Sequence, residues 1–201
     1  MLFRSAILFN AGQLATGGNA VNTVTTTGAQ TYAGAVTLGG DVTLRSSGAG
    51  DVSFGGTINA TTTGGQSLTV NTGGTTVFGF SATPSDNTGT GDFIGNTAAL
   101  SSLTTDATGT TRFNGGTVTT TGPQHYNDNV VLGANTTLTS TAGGTGDGTI
   151  AFGGTINGST VGGQSLTVIT TGDTVFGDAL NDFIGNTVAL ASVTKIGRAH
   201  V

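Results

Sequence analysis

The sequence predicts an all-β protein built as a parallel β-helix, a β-solenoid. Three observations carry this expectation. The composition favours strands and tight turns, a long internal repeat is present, and short apolar–polar–apolar triplets alternate with glycine pairs.

Of 201 residues, 43 are Thr and 37 are Gly, while Cys, Trp and Glu are absent. Thr and Val are β-branched and suit a pleated strand. Gly and Asn suit the turns between strands. Gly-rich, weakly charged chains are often disordered. Here hydrophobic residues make up 35% of the chain and recur in alternation, which argues for a buried face. No 3.6-residue apolar stripe is present, so helices are not expected.

The repeat has three blocks. Val24–Leu44 recurs as Val118–Leu138, with Tyr32 matching Tyr126. Val52–Gly79 recurs as Ile150–Gly177, with Phe54 matching Phe152 and Leu68 matching Leu166. Gly91–Thr104 recurs as Asn181–Thr194. Phe9-Asn-Ala-Gly12 echoes Phe113-Asn-Gly-Gly116, so copy one covers about residues 9–112 and copy two 113–194. Block order is kept while spacers change length, as in a stacked repeat protein.

Within each copy the triplets Val36-Thr-Leu38, Val42-Thr-Leu44, Val52-Ser-Phe54 and Leu68-Thr-Val70 read as strands, as do Val130-Val-Leu132 and Leu166-Thr-Val168. Their period of two puts apolar side chains on one face. Gly39-Gly40, Gly55-Gly56, Gly64-Gly65 and Gly73-Gly74 punctuate them. A sandwich or closed barrel gives no reason for long repetition, and propeller blades usually carry stronger aromatic signatures. A solenoid needs short strands, Gly/Asn corners and like stacked on like. At roughly 20 residues per coil the chain would make about nine coils, some 40 Å of rod. Val, Leu, Ile and Phe would fill the interior, with Thr outside. The matched pairs Leu68/Leu166 and Phe54/Phe152 should both point inward.

The ends read differently. Back-translated, MLFRS and IGRAHV are largely reverse complements, as a sequencing adapter read from both sides would be. Residues 1–5 and 195–201 are therefore expected to be adapter-derived and to make no repeat-like contacts. The repeat region proper is then 6–194. It holds ten Asp against Arg45 and Arg112, a formal charge of −8. That charge disfavours nucleic acid, because too few cations remain to meet phosphates. No stretch is long enough for a membrane helix, and no membrane insertion of this segment is expected.

The strings GGTINA, GGQSLTV, TTVFG and VTTTGAQTY resemble the β-strand repeats of large bacterial filamentous-haemagglutinin-like or autotransporter-like adhesins. The resemblance covers nearly all of residues 9–194. It implies a right-handed β-helix exported to the bacterial surface or secreted. Its partners would be host-cell, matrix or biofilm components reached by the full-length protein, and neighbouring repeats of the same chain.

Three further chemistries bear on the residues themselves. A polysaccharide-active enzyme needs clustered carboxylates and cations. Residues 6–194 offer Arg45, Arg112 and the single His125, in different blocks, so no catalytic residue, cofactor site or enzymatic activity is expected. Asp51, Asp92, Asp147 and Asp182 sit in turns, but one carboxylate per turn suits backbone bonding better than calcium, so no metal site is expected. Ranks of Thr could bind ice. Unequal coils and clustered runs such as Thr25-Thr26-Thr27 weigh against that expectation.

Overall fold

The computed structural model describes residues 2–3, 7–9, 21–79, 93–142 and 147–197. Within them the chain winds as a parallel β-solenoid with three sheets of seven, eight and seven strands. Each coil gives one strand to each sheet. The first coil holds β1 (Leu2–Phe3), β2 (Ile7–Phe9) and β3 (Val21–Thr26). The second holds β4 (Gln30–Tyr32), β5 (Val36–Leu38) and β6 (Asp41–Ser46). The third holds β7 (Val52–Phe54), β8 (Ile58–Ala60) and β9 (Leu68–Thr72). The fourth holds β10 (Thr75–Phe78), β11 (Phe93–Ile94) and β12 (Leu103–Thr105).

The fifth coil holds β13 (Thr110–Phe113), β14 (Thr117–Thr120) and β15 (Gln124–Tyr126). The sixth holds β16 (Asn129–Leu132), β17 (Thr136–Ser140) and β18 (Ile150–Phe152). The seventh holds β19 (Ile156–Gly158), β20 (Ser165–Thr170) and β21 (Thr174–Phe176). An eighth begins with an Ile156–Ile184 bridge and β22 (Ser192–Ile196).

Every ladder between these strands is parallel, and like stacks on like. In the second sheet Ile7, Val36, Ile58, Ile94, Val118 and Leu138 follow one another in register. Inner positions alternate with outer ones along nearly every strand, as the triplets predict. Leu68, Leu166, Phe54 and Phe152 are all buried, so both matched pairs point inward. Each such side chain contributes about 1.5–3 kcal/mol relative to exposure.

Three expectations need correction. Coil length runs from near the supposed 20 residues to well above it: 19 residues separate Thr111 from its partner Val130, and 36 separate Ile58 from Ile94. There are seven complete coils among the described residues rather than nine. At about 4.8 Å per coil they make roughly 34 Å of rod. Added chain between strands costs little, because closure entropy grows slowly with length.

Second, Thr is not confined to the outside. Thr72, Thr120, Thr136 and Thr170 are buried near corners. Their hydroxyls donate to the carbonyls of Gly50, Gly122, Ala134 and Gly148 at 2.6–3.0 Å. A corner leaves backbone groups off the ladder, and these hydroxyls satisfy them.

Third, the ends do join the ladder. Leu2 and Phe3 pair with Thr31 and Tyr32, and Lys195 and Ile196 pair with Val168 and Ile169. Lys195 thereby takes the register place above Val168 that Val, Ile and Leu hold in other coils.

A column of aromatic rings runs along the solenoid, buried from Tyr32 to Phe152: Phe9, Tyr32, Phe54, Phe78, Phe113, Tyr126, Phe152 and Phe176. Successive centroids are 5.2–5.8 Å apart. Such pairs add about 0.5–1.5 kcal/mol beyond burial. Two steps are edge-on, Phe9–Tyr32 at 64° and Phe113–Tyr126 at 87°. The other five steps are stacked. Phe9 and Phe113 are the residues that begin the two copies, so the edge-on step recurs with the repeat.

The copies do not lie over one another. Equivalent strands are eleven apart in the order of the described strands, as β4 with β15 and β9 with β20. Eleven is not a multiple of three, so β4 belongs to the first sheet and β15 to the third. Each copy is displaced by one sheet relative to the last.

Candidate functional site

The polar groups fall into three sets: repeated buried networks, turn-capping carboxylates and outward hydroxyl ranks.

The buried networks explain the repeated motifs. Gln30 Nε2 donates to Thr26 Oγ1 at 3.1 Å and to Arg45 O at 2.9 Å, while its Oε1 accepts from the Tyr32 hydroxyl at 2.6 Å. Gln124 makes the matching bonds to Thr120 Oγ1, Thr139 O and the Tyr126 hydroxyl at 3.1, 2.9 and 2.8 Å. In GGQSLTV, Gln66 Oε1 accepts from the Thr61 and Thr62 amides, and Gln164 Oε1 from those of Ser159 and Thr160. In GGTIN, Asn59 Oδ1 accepts from the Thr97 and Ala98 amides, and Asn157 Oδ1 from those of Thr187 and Val188. The adjacent Gly95 and Gly185 have φ of 72° and 71°, the left-handed region that favours glycine. Burial pushes the Tyr32 phenol up to about 12 and the Tyr126 phenol well above its ordinary range, the latter with help from the Asp128 charge. Both are neutral hydrogen-bond donors at ordinary pH.

The turn carboxylates bond to backbone. Asp51 Oδ1 accepts from the Thr75 amide at 2.7 Å and Asp147 Oδ1 from that of Thr149 at 3.0 Å. Asp182 Oδ2 accepts from the Asp178 and Ala179 amides at 3.0 and 2.7 Å. Asp92 lies outside the described residues. Among the described residues no three His, Cys, Asp or Glu side chains gather into a set that could hold a metal.

Arg45, Arg112 and His125 are kept apart. Arg45 is on β6 in the third sheet, and Arg112 is on β13 in the first, where its Nε donates to Asn114 Oδ1 at 2.8 Å. His125 lies on the outer side of β15, between Thr104 and Ala151 in register. The structure brings none of these three together.

The Thr ranks are more regular than the unequal coils imply, because the parallel ladders keep register across connections of any length. Thr117, Thr137, Thr167 and Thr194 stand in register on the second sheet. Thr23, Thr43, Thr69 and Thr104 do so on the third. The ranks are narrow and finite. Thr119 and Thr139 flank the first rank, but Ile169 and Ile196 follow them, while His125, Ala151 and Val175 follow Thr104.

Sequence reasoning missed Asp128. It occupies the place of Gly34 in copy one, yet its side chain is buried against Thr105 and Thr111. A lone Asp in a Gly/Asn corner gives no local sign of which way it points. One register place below Thr111, the Thr76 hydroxyl is buried with no hydrogen-bond partner among the described residues.

No family model, curated protein or solved structure matches this chain.

Proposed function

We propose that the chain is a structural segment of a large bacterial surface or secreted adhesin, a spacer that projects or presents an adhesive surface. The carrying observation is that both copies close the same buried hydrogen bonds. Buried Gln30 with Tyr32 is reproduced by buried Gln124 with Tyr126, and buried Gln66 by buried Gln164. A unit whose buried glutamines are bonded alike in both copies can stack on further units, and stability grows as a sum of coils and coil–coil contacts. Three of the haemagglutinin-like strings, VTTTGAQTY, GGQSLTV and GGTINA, carry residues that make repeated hydrogen bonds. On this reading the extracellular partners are met by the full-length protein, and this segment sets reach.

The test is immunogold labelling of intact source cells with antibodies to residues 21–79. The expected label stands off the outer membrane, and doubling the repeat in the gene moves a distal tag outward by a proportionate distance. Label confined to the cytoplasm, or reach independent of repeat number, would overturn the proposal.

A second reading rests on the Thr117–Thr137–Thr167–Thr194 rank. Hydroxyls spaced by the strand separation, about 4.8 Å, form an uncharged periodic surface suited to ordering water, as an ice-binding face requires. Thermal hysteresis that disappears in Thr137→Lys supports it, and none in the wild type rejects it.

A further inference from the structure

Asp128 sits in the corner between β15 and β16, where a carboxylate has no need to be buried. Its residue is 3% exposed. Its Oδ1 accepts from the Thr105 hydroxyl at 3.0 Å and from the Thr111 hydroxyl at 2.8 Å, and Oδ2 lies 3.0 Å from the same Thr111 hydroxyl. Thr111 Oγ1 is also 3.0 Å from Thr105 Oγ1. Thr105 ends β12 in the fourth coil, Thr111 is on β13 in the fifth, and Asp128 leads into the sixth. One side chain therefore ties three successive coils.

The surroundings supply hydroxyls and no cation. Beside Thr105, Asp106 bonds the Thr72 amide and the Thr108 hydroxyl and adds negative charge. On β13, Arg112 turns to Asn114 on the outer side. On β15, the Tyr126 hydroxyl donates to Gln124, and His125 faces outward. On β16, Asn129 Oδ1 accepts from the Thr155 amide. The corner stacked on Asp128 is Gly153–Gly154, with Asp178 beyond it. A buried carboxylate with neutral donors and an acidic neighbour keeps its proton to higher pH than an exposed one.

We propose that Asp128, Thr105 and Thr111 form a proton-dependent latch, which holds the fourth to sixth coils together when the carboxyl is neutral and loosens when it ionises. Desolvation is the largest influence and raises the carboxyl from 3.8 to about 6. The hydroxyl bonds from Thr111 and Thr105 oppose that rise, and the Asp106 charge adds to it. A raised folded-state value makes the contribution full below about pH 3.8 and lost as pH rises through about 6. The latch therefore tightens when the solenoid moves from neutral to mildly acidic surroundings. Copy one has no equivalent, because Gly34 stands there.

The experiment compares wild type with Asp128→Asn and Asp128→Gly, the second restoring the residue of copy one. Unfolding equilibria are measured from pH 7.5 to 5, and the Asp128 side-chain carbon is titrated by NMR. The wild-type folding constant should rise about tenfold relative to Asp128→Asn over that range. The carbon midpoint should lie well above 3.8. A wild-type-to-variant ratio that does not change with pH, or a midpoint at or below the ordinary value, overturns the latch. Should Asp128→Asn fail to fold, the Asp128→Gly comparison and the wild-type titration decide alone.

Discussion

Phe113 and Tyr126 meet edge to face, with centroids 5.2 Å apart and ring planes at 87°. Phe113 is on β13 in the first sheet and Tyr126 on β15 in the third, within one coil. At this pair the aromatic column passes from one wall of the solenoid to another. The edge-on contact is the geometry of that handover, since rings on one wall are stacked and rings on different walls meet at an angle.

Phe113→Ala should break the column at its handover. The loss combines burial, two ring contacts and a cavity, about 3–5 kcal/mol. Chemical denaturation checks the size, and hydrogen exchange should show the fourth to sixth coils opening first. A loss under about 1 kcal/mol would mean that the column is not a structural spine.

Gln124→Ala removes the acceptor of the buried Tyr126 hydroxyl and the donor to Thr139 O. Unsatisfied buried groups cost about 1–3 kcal/mol. Gln30→Ala should cost a similar amount, because its bonds are the same in the other copy. Thermal unfolding of both variants tests whether the copies are energetically equivalent as well as geometrically alike.

Asp147 should behave oppositely to Asp128. The Thr149 hydroxyl and then the Thr149 amide hold its carboxyl below 3.8, with a smaller lowering by His125, against slight desolvation. A lowered folded-state value stabilises above the unfolded value and is lost as pH falls through the folded one. Asp147 is exposed, so the contribution is small and screened. Asp147→Ala should be slightly less stable than wild type near neutrality and equal to it in strong acid, read by denaturant titration at each pH.

Beyond β20 the apolar side chains Phe176, Leu180, Phe183, Ile184, Val193 and Ile196 are exposed. Apolar surface beside unpaired strand edges templates association. The purified protein should be β-rich and self-associate, more strongly as salt screens its negative charge over about 10 Å at 0.1 M. Sedimentation velocity across salt concentrations measures this, and Phe176→Glu with Val193→Glu should reduce it. A monodisperse monomer at high salt would contradict the prediction.

Much of the architecture was legible in the chain. Val36-Thr-Leu38 and Leu166-Thr-Val168 announce strands because alternation with period two is a local property, and it survives any arrangement of the coils. The matched burial of Leu68 and Leu166 follows from the same alternation. Candidate sites were less legible. That Asp147 and Asp182 bond to amides of their own turns was readable from Asp in turn segments, whereas Asp51 bonds the Thr75 amide of the next coil. The burial of Asp128 was not, because it depends on Thr105 and Thr111 arriving from neighbouring coils.

By itself, then, the sequence determined the all-β class, the strand positions, their inner faces and the existence of two equivalent copies. These depend on neighbours two residues away and on side-chain type. The tertiary structure decided the number of coils, the sheet on which each copy falls, the in-register Thr ranks and the turning of the aromatic column. Those depend on where each coil closes. Closure is set by connections of very different length, and only the parallel ladders, by pairing residues 19 to 36 positions apart, turn those lengths into register.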